Sequence, residues 1–291
     1  MNHSEISLVR RRLLGAATVW GLTAPWLAQA QAAPQGTFIE RTLNRPVPGG
    51  VAVLDLGVGN QAPVVNFNGH RVLVIQDADQ RWKAIVGLDL KTKPGQHSVS
   101  VQGQSSVAFQ VGSKRYREQR ITLKNKSHVN PDPQQQARFE REYEEQMQAY
   151  ASFRTEGPSN VVFEKPVPGR LTSPFGLRRF FNGEERNPHS GLDFAAATGT
   201  SVKVPADGVV TIVADYFFNG KTVFVDHGQG LITMFCHLSA FDVKVGDSVR
   251  KGDVIARSGA TGRATGPHLH WNVSLNNARV DPAIFIGAFQ A

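Results

Sequence analysis

At 291 residues, with 41% hydrophobic content, 28 Gly and 16 Pro, the chain can hold one large or two modest domains, and its composition excludes a disordered or fibrous protein. A single cysteine excludes an intramolecular disulfide, so stability must come from packing or from a metal. The formal charge of +8 falls to +6 if residues 1–32, with three Arg and one Glu, are removed; such a charge suits an anionic polymer or lipid surface, and no nucleic-acid motif accompanies it.

Residues 1–32 read as an export signal rather than as part of the fold. Arg10, Arg11 and Arg12 precede an apolar segment from Leu13 to Leu27, and the small-residue run "AQAQAA" offers cleavage after Ala30 or Ala32. "RRRLLG" resembles a twin-arginine signal, and the general secretory route fits as well. The apolar run is short and holds Pro25, which argues against a retained membrane anchor. No cysteine follows the cleavage region to take a lipid. Export without disulfides fits a bacterial periplasm, with no stable membrane insertion after cleavage.

Residues 33–124 are expected to form an N-terminal β-domain. Short apolar stretches such as "VAVLDL", "RVLVIQ", "WKAIVGLDL", "VAFQV" and "REQRITL" alternate with Gly, Pro, Asn and Asp, the pattern of antiparallel strands in a small sandwich or barrel. His70 and His97 are isolated here and read as solvated or core-bonded residues. Residues 125–160 change character. "NPDPQQQARFEREYEEQMQAYASF" opens with Pro and Asp and predicts a helix, with Phe139, Tyr143, Met147 and Tyr150 forming one stripe. That helix serves as a connector, or more specifically as a prop or lid for a cleft.

Residues 161–291 return to short strands and turns, with "DHGQG" as a hairpin signal between two apolar runs. This segment holds His189, His227, His237, His268 and His270. In "GPHLHW", two histidines two apart on a strand point to the same face with Cα atoms ~6.5–7 Å apart, so His268 and His270 converge on one spot. Either both bind one metal ion, or one binds it and the other addresses a water on it; spacing does not choose. In "HSGLD", His189 and Asp193 would lie ~13 Å apart if extended, and Gly191 permits the bend that brings them together. Two imidazoles and a carboxylate with an open fourth position have the composition of a catalytic zinc site, whereas structural zinc sites are closed and rich in cysteine.

In order, "SPFGLR", "HSGLDF", "GTSVKVPADGVV", "VFVDHGQG", "MFCHLS", "VKVGDSVRKGDVIARSGATGRATGPHLHW" and "DPAIF" resemble the lysostaphin-type zinc metallopeptidases, which cut peptidoglycan. The resemblance runs from about Val161 to Phe285. It implies an antiparallel β-sheet with barrel-like, duplicated connectivity, so the whole chain is expected to be mainly β: a sandwich-like N-terminal domain, a connecting helix and this C-terminal sheet. It implies one zinc per chain held by His189, Asp193 and His270, with His237 and His268 as the catalytic histidines. It also implies peptidoglycan peptide stems as substrate, with a zinc-activated water as nucleophile and histidine assistance in proton transfer. One departure is visible. The family often has Tyr two residues before the first catalytic histidine, and Phe235 stands there, which puts a polar role at that position in doubt. His227 and Cys236 read as structural.

Three rival readings compete. A metal-free relative that activates a cell-wall amidase would lack the ligand set that this chain has in full. "VKVGDSVRKGDVIA" resembles the hairpin of biotinyl or lipoyl carriers, but no presented lysine accompanies it. A wall-binding module without catalysis does not require five histidines. For an exported enzyme without a wall-anchoring repeat, the expected bond joins D-Ala to meso-diaminopimelate, with a glycyl bridge as the alternative. Any regulatory protein is unknown.

Overall fold

The computed structural model describes residues 36–122 and 129–290, which form one compact unit; the signal-peptide reading of residues 1–32 lies outside the described residues. A short helix α1 (Phe38–Leu43) opens it, capped reciprocally by Thr37 and Glu40. The sequence reading did not anticipate α1. Seven strands follow: β1 (Val51–Val58), β2 (Val65–Phe67), β3 (His70–Arg71), β4 (Leu73–Gln76), β5 (Arg81–Gly87), β6 (Gly95–Val101) and β7 (Val107–Val111). They make two sheets, in the orders β1-β5-β4 and β3-β2-β6-β7. Ala52, Leu54, Val74, Ala84 and Val86 from the first pack against Val65, Phe67, Val99 and Val111 from the second, which is the expected sandwich.

The first sheet is apolar on both faces. Side chains alternate along a strand, so Val51, Val53, Leu73 and Ile85 point away from the sandwich and join the core of the C-terminal half, with Leu275, Val280, Ile284 and Phe285. Each such fully buried side chain contributes about 1.5–3 kcal/mol relative to exposure. The N-terminal half is therefore fused to its neighbour through hydrophobic core.

Strand β8 (Glu118–Ile121) was expected to be antiparallel and to belong to the sandwich. Instead it pairs in parallel with β10 (Arg178–Phe181) of the C-terminal half. Such a long-range parallel ladder leaves no local signature in four residues. Helix α2 (Pro133–Ala151) begins at an Asp132–Gln135 capping box with Pro133 at the first position. Met147 and Tyr150 pack on Ile212, Tyr216, Phe224 and Met234, and Phe139 meets Phe218 edge-on at 5.0 Å. Tyr143 departs from the predicted stripe and is 47% exposed, while Gln146 is buried.

The C-terminal half comprises β9 (Leu171–Ser173), β10, β11 (Glu184–Glu185), β12 (Leu192–Ala195), β13 (Ser201–Lys203), β14 (Gly208–Tyr216), β15 (Gly220–Asp226), β16 (Ile232–Phe241), β17 (Ser248–Val249), β18 (Val254–Ser258), β19 (His268–Leu275) and β20 (Ala278–Val280). The main antiparallel path runs β17-β14-β15-β16-β19-β12-β9 without closing on itself, with β13 and β18 branching from β16. Asn276 and Asn277, both at positive φ, form the two-residue turn between β19 and β20. Among the described residues no helix is long and apolar enough to cross a membrane.

Candidate metal centre

Three neighbouring strands of the C-terminal sheet bring the chemistry together. The register of β12 against β19 sets Asp193 directly opposite His270 and Ala195 opposite His268, so Asp193, His270 and His268 share one face. His189 lies just before β12 and is fixed by its backbone, which exchanges hydrogen bonds with Gly176 and Leu177. Gly191 sits at the expected bend and is required for a second reason as well. A Cβ there would lie 2.2 Å from Asn272 Oδ1 and 2.4 Å from the Trp271 carbonyl oxygen, so only glycine lets this segment approach β19. Gly176, at φ +80°, meets the Tyr116 ring at 2.1 Å from the place of a Cβ, which lets an N-terminal tyrosine seal the other side of the "SPFGL" segment.

His237 is placed by a break in β16. Ile232–Cys236 pair with β19, whereas Leu238–Phe241 pair with β18. At the change of partner His237 takes φ +60°, an uncommon conformation for a residue other than glycine that turns its ring towards the site. The His237 and His268 ring centroids are 4.7 Å apart, and those of His237 and His270 are 6.0 Å apart.

His189 Nε2 lies 2.9 Å from Asp193 Oδ1 and 3.0 Å from His270 Nδ1, while Asp193 Oδ1 is 2.8 Å from His270 Nδ1. All three ligand atoms fall within 4.8 Å of one another. The donor set fits a zinc ion on its hydrogen bonding. His189 Nδ1 is 2.7 Å from the Pro174 carbonyl oxygen, so it carries the ring proton and leaves a bare lone pair on Nε2. A lone pair facing a carboxylate oxygen needs a cation between them. Burial pushes His189 down to about 4, against the pull of Asp193. Burial alone would raise Asp193, but the adjacent His189 and His270 hold it well below the usual carboxylate range. Neutral imidazole and ionised carboxylate are the forms that bind metal.

His237 donates from Nδ1 to the Thr261 carbonyl oxygen at 2.8 Å, and His268 from Nδ1 to the Gly266 carbonyl oxygen at 2.8 Å. Each ring thereby presents Nε2 to the site, and His268 Nε2 lies 3.9 Å from Asp193 Oδ1. Burial, followed by the neighbouring His270 and His268, pushes His237 down to about 3. His227 stays out of the cluster, pinned by the Asp207 carbonyl and Thr233 Oγ1 at 2.8 Å each. Phe235 is fully buried in the core, and Cys236 is buried with its thiol pushed up to about 12, which leaves it inert.

The site opens into a cavity of about 510 Å³ whose lining includes His189, His237 and His270. Residues of α2, from Gln136 to Tyr150, form one wall, and Asp89, Leu90 and Lys91 of the N-terminal half contribute another. Tyr150 reaches the floor, where Asn272 Nδ2 lies 3.4 Å from its hydroxyl oxygen. The helix therefore forms a wall of the cavity as well as lying between the two halves in sequence. Sequence reasoning missed Arg179, Arg186 and Arg263, which line the same cavity. Their only signal is adjacency: Arg186 stands three residues before His189, and Arg263 stands in the loop ahead of "HLH". Arg179 Nη2 lies 3.5 Å from Asp193 Oδ2 and steadies that carboxylate.

Residues 187–282 match Peptidase family M23, and residues 44–114 match the Peptidase family M23 N-terminal domain. Among curated proteins, the Neisseria meningitidis DD-carboxypeptidase/endopeptidase Mpg is 42% identical over 113 residues, covering 39% of this chain and 26% of that protein. The Vibrio cholerae peptidoglycan DD-endopeptidase ShyA is 40% identical over 113 residues, covering 38% and 26% respectively. The matched segment spans only about a quarter of the length of these relatives. A solved Pseudomonas aeruginosa chain assigned to peptidase M23 is 52% identical, with a TM-score of 0.76, covering 87% of this chain and 100% of that one. A cluster of His189, Asp193 and His270 that could hold a metal ion, a flanking N-terminal sandwich of the matching kind and a relative this similar over its full length have one common explanation: the chain belongs to peptidase family M23.

Proposed function

We propose that this chain is an exported zinc endopeptidase that hydrolyses peptide cross-links of bacterial peptidoglycan in the periplasm. The observation that carries the reading is the convergence of His189 Nε2, Asp193 Oδ1 and His270 Nδ1, with His237 and His268 beside them. In this reading His189, Asp193 and His270 hold the ion, and residues 1–32 direct export. The names of the relatives support the same substrate class.

When bound, zinc supplies Lewis acidity that polarises a carbonyl and makes a water more acidic. The chain's own groups do the rest. His268 Nε2, close to Asp193, accepts the proton of the attacking water. His237 Nε2 serves the carbonyl oxygen as charge develops, and it must take up a proton to do so; the Thr261 carbonyl on Nδ1 favours the imidazolium then formed. His237 takes that proton from solvent and passes it to the departing amine, while His268 returns the water's proton to solvent, so the hydrolysis balances. The walls of α2 and the Asp89–Lys91 segment limit access of bulk water.

Digestion of purified sacculi, with the released muropeptides weighed, tests the reading. Release of uncross-linked stems that stops on chelation is the expected result. Release of stems severed from glycan, with cross-links intact, would replace endopeptidase by amidase activity.

A further inference from the structure

We propose that Arg179, oriented by Gln119 of the N-terminal half, is a positioning residue that holds Asp193 Oδ2 away from the ion, so that the carboxylate offers Oδ1 alone. The proposal rests on the reading of His189, Asp193 and His270 as ligands and adds what sets the way Asp193 binds.

The two oxygens of Asp193 face different partners. Oδ1 lies 2.9 Å from His189 Nε2, 2.8 Å from His270 Nδ1 and 3.9 Å from His268 Nε2. Oδ2 faces Arg179 Nη2 at 3.5 Å. The backbone beneath is fixed on both sides, because Asp193 pairs with His270 of β19 and with Ser173 of β9, and its carbonyl accepts from Thr172 Oγ1 at 2.9 Å. What remains free is rotation of the carboxylate, and a carboxylate with both oxygens free binds a cation through one or through both. Only 20% of the Arg179 side chain and 11% of the Asp193 side chain are exposed, so their attraction is screened far less than that of a surface pair.

Arg179 is itself held. β8 and β10 run in parallel register with Gln119 beside Arg179, and Arg179 Nε donates to Gln119 Oε1 at 3.2 Å. The guanidinium is planar, so fixing Nε against Gln119 sets the direction in which Nη2 points. The parallel ladder thereby has a use at the metal centre: it sets a side chain of the N-terminal half behind a ligand of the C-terminal half. Neighbouring Arg178 alternates to the opposite face, where it pairs with Glu118 and Glu185.

With Oδ2 engaged, the carboxylate takes one coordination position rather than two, and the open position of a catalytic site is kept for water and substrate. The cation on Oδ2 also draws negative charge from Oδ1, so an ion bound there retains more of its Lewis acidity.

The test uses the full mature protein loaded with cobalt(II) in place of zinc. Four-coordinate cobalt absorbs strongly in the visible and five-coordinate cobalt weakly, so the spectrum reports how many ligand atoms the ion has. Arg179→Ala should keep about one metal per chain and lose most of that absorption, while kcat on a cross-linked stem peptide falls roughly 10- to 100-fold and KM stays within a factor of about three. Gln119→Ala should move the spectrum and the rate in the same direction by less, and Arg179→Lys, which restores the charge without the planar pair of donors, should recover part of both. Arg178→Ala removes only exposed ion pairs from the same strand and should match the wild type. An unchanged spectrum and rate in Arg179→Ala would overturn the proposal. So would equal losses in Arg178→Ala, which would make the effect one of strand β10, and so would an Arg179→Ala protein that binds no metal, since the side chain would then serve retention of the ion. A wild-type protein that binds no cobalt would defeat the ligand reading, and the proposal with it. A wild-type protein with the four-coordinate spectrum that leaves the stem peptide uncut would defeat the substrate reading alone, and the spectra of the variants would still decide the role of Arg179.

Discussion

Asn276, in the turn between β19 and β20, exchanges two hydrogen bonds with the backbone of Gly87 at the end of β5: it accepts from the amide at 2.6 Å and donates to the carbonyl at 3.0 Å. The last residue of a sandwich strand is thereby satisfied by a side chain nearly two hundred positions later. Both bonds are buried, so Asn276→Gly, which tolerates the φ of +40° but lacks the amide, should cost about 2–3 kcal/mol in urea or thermal unfolding. An unchanged midpoint would mean that water replaces the side chain.

The shared core extends this argument to truncation. A chain beginning near Ser159 loses the β1-β5-β4 sheet that covers Leu275, Val280 and Phe285, and loses the α2 residues that cover Ile212, Tyr216 and Met234. Two apolar patches become exposed on one small domain. Such a chain should aggregate, and light scattering of the refolded fragment against the mature protein checks it. A monodisperse, stable fragment would show that the two halves fold independently.

The metal centre should also be a stabilising centre. Zinc binds only the folded arrangement, so a chelator should lower the melting temperature of the wild-type protein, by an amount set by how far free zinc exceeds the dissociation constant. His189→Ala and Asp193→Ala should both lose most of the one zinc per chain and melt at the same temperature with and without chelator. Full zinc occupancy in both variants, read by elemental analysis, would remove these residues from the ligand set.

What could be read from the sequence depended on how local its cause was. The helix start at "NPDP", the "DHGQG" turn and the pair in "HLH" are set within a few residues, and each was readable. The face shared by Asp193 and His270 was partly readable, since alternation on a strand predicts which residues point together but not which strand lies opposite. The positive φ of His237 was hidden, because it arises where β16 exchanges β19 for β18, a matter of tertiary pairing. So was the parallel partner of β8. Arg179, Arg186 and Arg263 come from separate segments whose convergence only the fold reveals.

Asp281 predicts a pH dependence of stability away from the metal centre. It caps the final turn, accepting the Ala283 amide at 3.0 Å, and burial raises it from 3.8 to about 6 despite that bond and the charge of Lys114. The folded state therefore holds a proton that the unfolded state has already released between about pH 4 and 6, so stability falls as pH rises through that window. Asp281→Asn keeps the capping oxygen without the charge and should be more stable than wild type at pH 7.5 by roughly 3 kcal/mol, with the difference vanishing near pH 4. Parallel pH profiles for the two proteins would place the Asp281 charge in contact with water or an ion.

His237 should separate catalysis from metal binding. Its ring is not among the three converging ligand atoms, yet its centroid is 4.7 Å from that of His268, and the Thr261 carbonyl holds its Nδ1 so that Nε2 faces the site. His237→Ala should keep zinc near one per chain and lose roughly 10²- to 10⁴-fold in kcat on a cross-linked stem peptide, the span for a single acid or base group. His237→Gln should stay as slow as the alanine variant, because an amide can hydrogen-bond to Thr261 but cannot carry a proton to the leaving amine. His268→Ala should show the same pairing of retained metal and lost rate. If either alanine variant lost zinc as fully as Asp193→Ala, that histidine would be a ligand, and the proton-transfer roles would have to be reassigned. If His237→Ala turned over at nearly the wild-type rate, His268 and the metal would suffice, and the turn at φ +60° would serve only the change of partner in β16.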